Sequence, residues 1–227
     1  MSDKKNVEMT SDEMVAKAKD FWTRNSKPIL IVSAAIILLG GGWLVYKNFF
    51  KAPKEANAND ALFRAQSYLE KDSINLALNG DGQSMGFLRI INKFGGTNAA
   101  NLSHYYAGIC YTKLDDNEKA ISHLKDFSTS SKPVQARAYK LLAEAYAATG
   151  KNSEALSNYK KAASEFETDK TYSSEALFDA AFFADRVMKD KKEAIELYKE
   201  LKEKYPNTDK GNKAENYLAQ LGVYNVN

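Results

Sequence analysis

Few residue types in this 227-residue chain could carry proton transfer, nucleophilic attack or metal binding. The histidines are His104 and His123, and the single cysteine is Cys110. His104 falls where the local helical pattern wants a large packing side chain. His123 falls on the solvent side of the helix that follows. Cys110 sits in a small-residue slot next to Tyr111, with no basic group placed to lower its pKa, so an inert thiol is expected. The segment NGDGQSMG, residues 79–86, has glycines and an acid, but no strand precedes it and no Lys-Ser/Thr follows, as a phosphate loop would need. A calcium loop fails as well, because Gln83 and Met85 stand where oxygen ligands belong. It reads as a turn that opens the next helix. These residues predict no catalytic group, no metal ligand and no cofactor site, and therefore a protein that is not an enzyme.

The elements around them are more informative. With 44% hydrophobic and 27% charged residues the composition is that of a globular protein. The formal charge of +3 is uneven: residues 1–54 carry 9 Lys/Arg against 5 Asp/Glu, and residues 55–227 carry 23 against 24. A near-neutral large part does not favour the basic face that nucleic acid wants, so no nucleic-acid partner is expected. One cysteine excludes an internal disulfide framework.

From Ala61 onward the chain reads as helical, and three segments align: 107–127, 142–162 and 181–201. The first has Ala107-Gly108, Tyr111, Ala120 and Leu124; the second has Leu142-Ala143, Tyr146, Ala155 and Tyr159. Ala120 and Ala155 are 35 apart. The pattern resembles the tetratricopeptide repeat, whose period is about 34 residues. The third copy keeps Ala194, Tyr198 and the closing Pro206. It places Asp185 where the tyrosine belongs, and its alanine lies 39 beyond Ala155, which suggests an insertion at EFETDKTYSS. A weaker upstream repeat would use Asn59 to Leu69 as its first helix and Gly86-Phe87 with Ile90 in its second. A last helix, Lys213 to Leu221, would cap the stack with a polar face. The small residues allow close helix approach, and the tyrosines bury against the next repeat.

Such a stack exposes one face of each first helix as an extended protein-binding groove. Counting from the shared pattern, the groove positions are Tyr105, Ile109 and Lys113, then Arg137, Lys140 and Glu144, then Asp179, Phe183 and Arg186. Glu144 stands where the carboxylate clamp of chaperone-binding repeats wants asparagine, so capture of a chaperone tail is not expected.

Upstream, Ile29 to Tyr46 holds no charge over 18 residues. As a helix it spans about 27 Å, close to the ~30 Å hydrocarbon core. A cleaved signal would be shorter and followed closely by small residues; here Trp43, Tyr46, Phe49 and Phe50 follow, so an uncleaved anchor in a lipid bilayer is expected. Gly40, Gly41 and Gly42 are a candidate contact face for another membrane helix. Before the span, Thr10 and Glu13 fit a capping box, and Met14, Val15, Ala18, Phe21 and Trp22 share one side of an amphipathic helix. Pro28 is expected to stop that helix. Phe21 and Trp22 then mark one membrane interface and Trp43 the other.

The domain reading is thus a cytoplasmic tail with an amphipathic helix (1–27), a transmembrane helix (28–50), a polar linker (51–58), and an all-α TPR-type solenoid (59–227). Lys19, Phe21, Trp22, Asn25 and Lys27 in KDFWTRNSK, with Gly42-Trp43 and Tyr46 at the far end of the span, resemble the YfgM-like ancillary subunits of the SecYEG translocon. That resemblance implies a single-pass protein of the bacterial inner membrane, N-terminus cytoplasmic and C-terminal domain periplasmic. It also implies SecYEG, a PpiD-like membrane-anchored chaperone and exported polypeptides as partners. The competing expectation is a scaffold for cell-envelope or cell-division assembly with no link to export.

Overall fold

The computed structural model describes residues 10–224. Its described residues are helical, with one isolated β-bridge between Gly80 and Met85. They form two compact units that divide between Pro53 and Lys54.

The N-terminal unit is built on α1 (Ser11–Val45) and a π-helical segment, Tyr46–Lys51. The expected capping box is present, with the Thr10 backbone N–H donating to the Glu13 carboxylate at 3.2 Å. The first nine residues of the expected tail lie outside the described residues. Pro28 does not stop the helix; it lies inside α1. Proline removes one backbone N–H and crowds the preceding turn, but long helical flanks on both sides outlast that local loss. No residue of α1 is buried. Phe21, Trp22 and Trp43 are all more than half exposed, and a methyl group placed on Gly40, Gly41 or Gly42 would meet no atom within 4 Å. Beyond them the Tyr46 and Phe50 rings stack at 6.2 Å.

The linker expected at 51–58 is helical instead. Lys51 closes the π-helical segment and α2 (Ala52–Glu70) follows at once. Its residues are not free of the repeats. Lys54 Nζ donates to the Gly95 carbonyl at 2.8 Å, and the Glu55 carboxylate accepts from the Asn98 and Ala99 N–H groups at 3.0 and 3.1 Å. Those N–H groups are orphans of the first turn of α5, where a negative charge is favoured by the helix dipole.

The remaining helices are α3 (Ile74–Asn79), α4 (Phe87–Lys93), α5 (Asn98–Lys113), α6 (Asn117–Asp126), α7 (Lys132–Ala148), α8 (Asn152–Glu165), α9 (Lys170–Arg186), α10 (Lys191–Lys204) and α11 (Asp209–Gln220). Three pairs, α5 with α6, α7 with α8 and α9 with α10, each pack together and onto the next pair. The first helices of the first two pairs end in the same way. Asp115 and Gly150 hold positive φ, and the N–H of Asp116 and Lys151, the next residue in each case, reaches five residues back to the carbonyl of Tyr111 and Tyr146. This is the Schellman closure. The end of α9 is a wider variant, with positive φ at Lys189 and the Asp190 N–H reaching six residues back to the Ala184 carbonyl. The small positions Ala107, Ala120, Ala143, Ala155 and Ala194 are fully buried, as expected of residues at helix crossings.

The same closure occurs upstream, where Asp72 has φ 54° and the Ser73 N–H donates to the Tyr68 carbonyl. Tyr68 and the fully buried Ala77 stand in the relation of Tyr111 to Ala120 and Tyr146 to Ala155. The weak first repeat therefore takes α2 as its first helix, but its second helix begins at α3 rather than at Gly86. NGDGQSMG splits that helix into α3 and α4. Asp81 organises the loop: its carboxylate accepts from the Gln83 and Ser84 N–H groups and from the Tyr68 hydroxyl at 2.7 Å. Gly80 and Gly82 take positive φ, and at Gly86 a methyl group would collide with the Leu78 carbonyl. The insertion in the third copy also lies earlier than EFETDKTYSS suggests, since α8 runs 14 residues against 10 for α6. The extra residues lengthen a helix, and the loop to α9 stays short.

Candidate protein-binding surface

All nine expected groove residues lie on α5, α7 and α9, the first helices of the three pairs. The structure brings two of them into direct contact: Lys140 Nζ lies 2.6 Å from Asp179 Oδ2, bridging α7 and α9. Burial draws the Lys140 ammonium down, but Asp179 and the nearby Glu144 and Glu175 outweigh it and leave its pKa raised. Glu144 is half-buried on the same helix face. Burial lifts its carboxyl above the usual range, Lys140 opposes and Asp179 adds to the rise. Tyr172, which the sequence did not single out, completes this region. Its hydroxyl is buried without a hydrogen-bond partner, and burial pushes it to about 12.

Other positions are occupied differently. Tyr105 is half-buried, with its ring 5.2 Å from that of Phe127, and Ile109 is half-buried beside it on α5. Lys113 turns away to pair with Asp72 at 2.8 Å. Arg137 is exposed. Phe183 is only 6% exposed and packs against the Tyr159 ring at 5.6 Å, so it belongs to the core and corrects the expectation of a groove residue. The reason is that α8 and α10 both pack against α9, and the Phe183 ring turns towards Tyr159 of α8. Arg186 pairs with Asp185 at 2.9 Å and donates to the Gln220 side chain of α11 at 3.0 Å. The groove charges are thus largely compensated within the chain, which suits a mixed polar and aromatic surface better than a cradle for a free carboxylate.

Cys110 is fully buried, and burial pushes its thiol up to about 12. A neutral thiol at that depth is a packing group. Among the described residues no group of three His, Cys, Asp or Glu side chains is arranged to hold a metal ion. A cleft of about 550 Å³ opens between α8, α9 and α10, lined by Leu156, Leu177, Met188 and Tyr205 with Lys160 and Lys204. Those lysines are already paired, Lys160 with Glu193 and Lys204 with Glu200 and Glu167.

This arrangement can bind and orient a partner. No curated protein matches the chain. Residues 175–208, the greater part of α9 with all of α10, match the tetratricopeptide repeat family, so the array from α5 to α10 is of the tetratricopeptide repeat type, an architecture typical of non-catalytic protein-binding scaffolds.

Proposed function

We propose that this protein is a single-pass scaffold of the bacterial inner membrane that works beside the SecYEG translocon. On this reading the N-terminus is cytoplasmic, and the repeat domain is periplasmic and meets exported polypeptides and a PpiD-like chaperone. The observation that carries it is the coexistence in one chain of an apolar helix with no buried residue and a TPR-type array. The KDFWTRNSK and Gly42-Trp43 resemblance supplies the choice of translocon. The anchor would raise the local concentration of the groove near emerging chains, so that weak contacts suffice.

The test is photo-crosslinking in native membranes from Tyr105 and Arg137, with Phe183 as a buried control. Adducts with translocon subunits, a membrane-anchored chaperone or exported chains are expected. Adducts confined to cell-wall or outer-membrane machinery would replace this reading with the envelope-assembly scaffold, and adducts confined to cytosolic proteins would end both.

A further inference from the structure

His104 of α5 and His123 of α6 read from sequence as two unrelated residues. The fold sets them against each other, Nδ1 to Nδ1 at 3.1 Å with ring centroids 5.3 Å apart. At that separation one nitrogen must carry the proton and the other must offer its lone pair. A neutral pair meets this condition. A pair with one extra proton also meets it, because an imidazolium still donates to a neutral ring. Two imidazolium rings cannot; each would point an N–H and a positive charge at the other.

The surroundings favour the neutral and singly charged forms. His123 stacks on Tyr111 at 5.4 Å, and the Lys119 ammonium lies 5.2 Å from the centre of that same tyrosine ring. Asp126 of α6 is the acid beside the pair, with Oδ2 4.0 Å from His104 Nδ1. From α4 and its loop, the cavity wall near His104 is formed by Ile91, Gly95 and Gly96, which carry no charge. One exposed carboxylate compensates at most one imidazolium.

We propose that His104 and His123 form an acid-operated latch on the α5–α6 repeat, which accepts one proton and opens on the second. Opening reaches the groove directly. Asp126 is followed by Phe127, whose ring packs on Tyr105, and Tyr105 follows His104 in the chain. Burial holds both imidazoles below their ordinary pKa; the His104 charge lowers His123 further, and Asp126 opposes in both cases. The unfolded chain therefore binds more protons than the folded one as pH falls below the ordinary imidazole value, and the stability of this repeat is lost progressively in that direction. A domain outside the cytoplasm, as proposed above, would meet such acid; the latch itself stands whichever partner the groove takes.

The experiment uses the full chain in lipid nanodiscs, with imidazole resonances and amide protection factors followed by NMR from pH 7.5 to 4.5. We expect two coupled titration steps separated by about one unit or more. Once the second step begins, α6 protection should fall about tenfold per pH unit, while α8 and α10 keep theirs. His104→Gln, whose amide donates and accepts without titrating, should leave a single step and an α6 that stays closed. Independent titration of both imidazoles near the ordinary value in the unmodified chain overturns the proposal, and so does equal acid opening of α6 in the unmodified chain and in His104→Gln. If His104→Gln does not fold, His123→Gln serves the same comparison, and the titration of the unmodified chain decides on its own.

Discussion

Individual side chains in this protein act mainly through what they prevent a neighbour from doing. Lys140 neutralises Asp179 at 2.6 Å with Glu144 close by, both partners about one-third exposed. Lys140→Met would leave two acids facing each other and should cost about 1 kcal/mol, read as a shift of the urea midpoint. Glu144 shows the opposite sign. Its folded carboxyl holds its proton more tightly than the unfolded one, so stability is lost as pH rises through the unfolded value towards the folded one. Glu144→Gln removes that loss; the variant should melt higher than the unmodified chain at pH 7 and at the same temperature near pH 4. Packing sets a sharper limit at Gly108, where an added methyl group would lie 2.5 Å from Leu124 Cγ. Gly108→Ala should destabilise by about 1–3 kcal/mol through overpacking between α5 and α6, measurable by chemical denaturation.

At the level of elements, each helix depends on its neighbours for the groups it cannot satisfy alone. Glu55 of α2 caps the start of α5, so Glu55→Ala strands two N–H groups and should cost about 1 kcal/mol. Amide exchange confined to the first turn of α5 is the direct readout. At the other end, α11 closes the stack. Leu218 and Ala214 are fully buried, and the Tyr217 ring meets Phe178 and Tyr198 at 5.1 Å each. A chain ending at Thr208 would bare that apolar surface, and a solenoid without its terminal cap loses solubility. Aggregation and a broadened thermal transition are expected, seen by light scattering alongside circular dichroism. Gly211 fixes where α11 starts, because a methyl group there would strike the Tyr205 carbonyl.

For the molecule as a whole, the apolar helix is long enough to cross a bilayer, and the proposed anchor can be tested directly. A span of this length with no buried residue should keep the protein in the membrane through alkaline carbonate and release it only in detergent. Fractionation of membranes before and after carbonate treatment measures this, and release by carbonate would remove the anchor. Protease added to spheroplasts then reports the side on which the repeats lie.

Much of this was legible in the chain because it depends on short-range periodicity. The uncharged run from Ile29, the capping box at Thr10, and the alanines and tyrosines of the α5–α6 and α7–α8 pairs all follow from spacing within one or two helices. The split repeat at NGDGQSMG was legible in principle too, since Tyr68 and Ala77 keep the repeat spacing, but the insertion after Ala77 hid it. Pro28 and the polar run at 51–58 misled for a related reason: local breaking signals cost a few kcal/mol, and flanking helix and tertiary hydrogen bonds outweigh them. What only the tertiary structure decided are contacts between residues of different repeats or helices. His104 with His123, Lys140 with Asp179, Glu55 with α5 and the burial of Phe183 each depend on how helices pack together. Composition and period determine which faces are apolar, but the partner a polar side chain finds across an interface is set by the registry of that packing, which no single segment encodes.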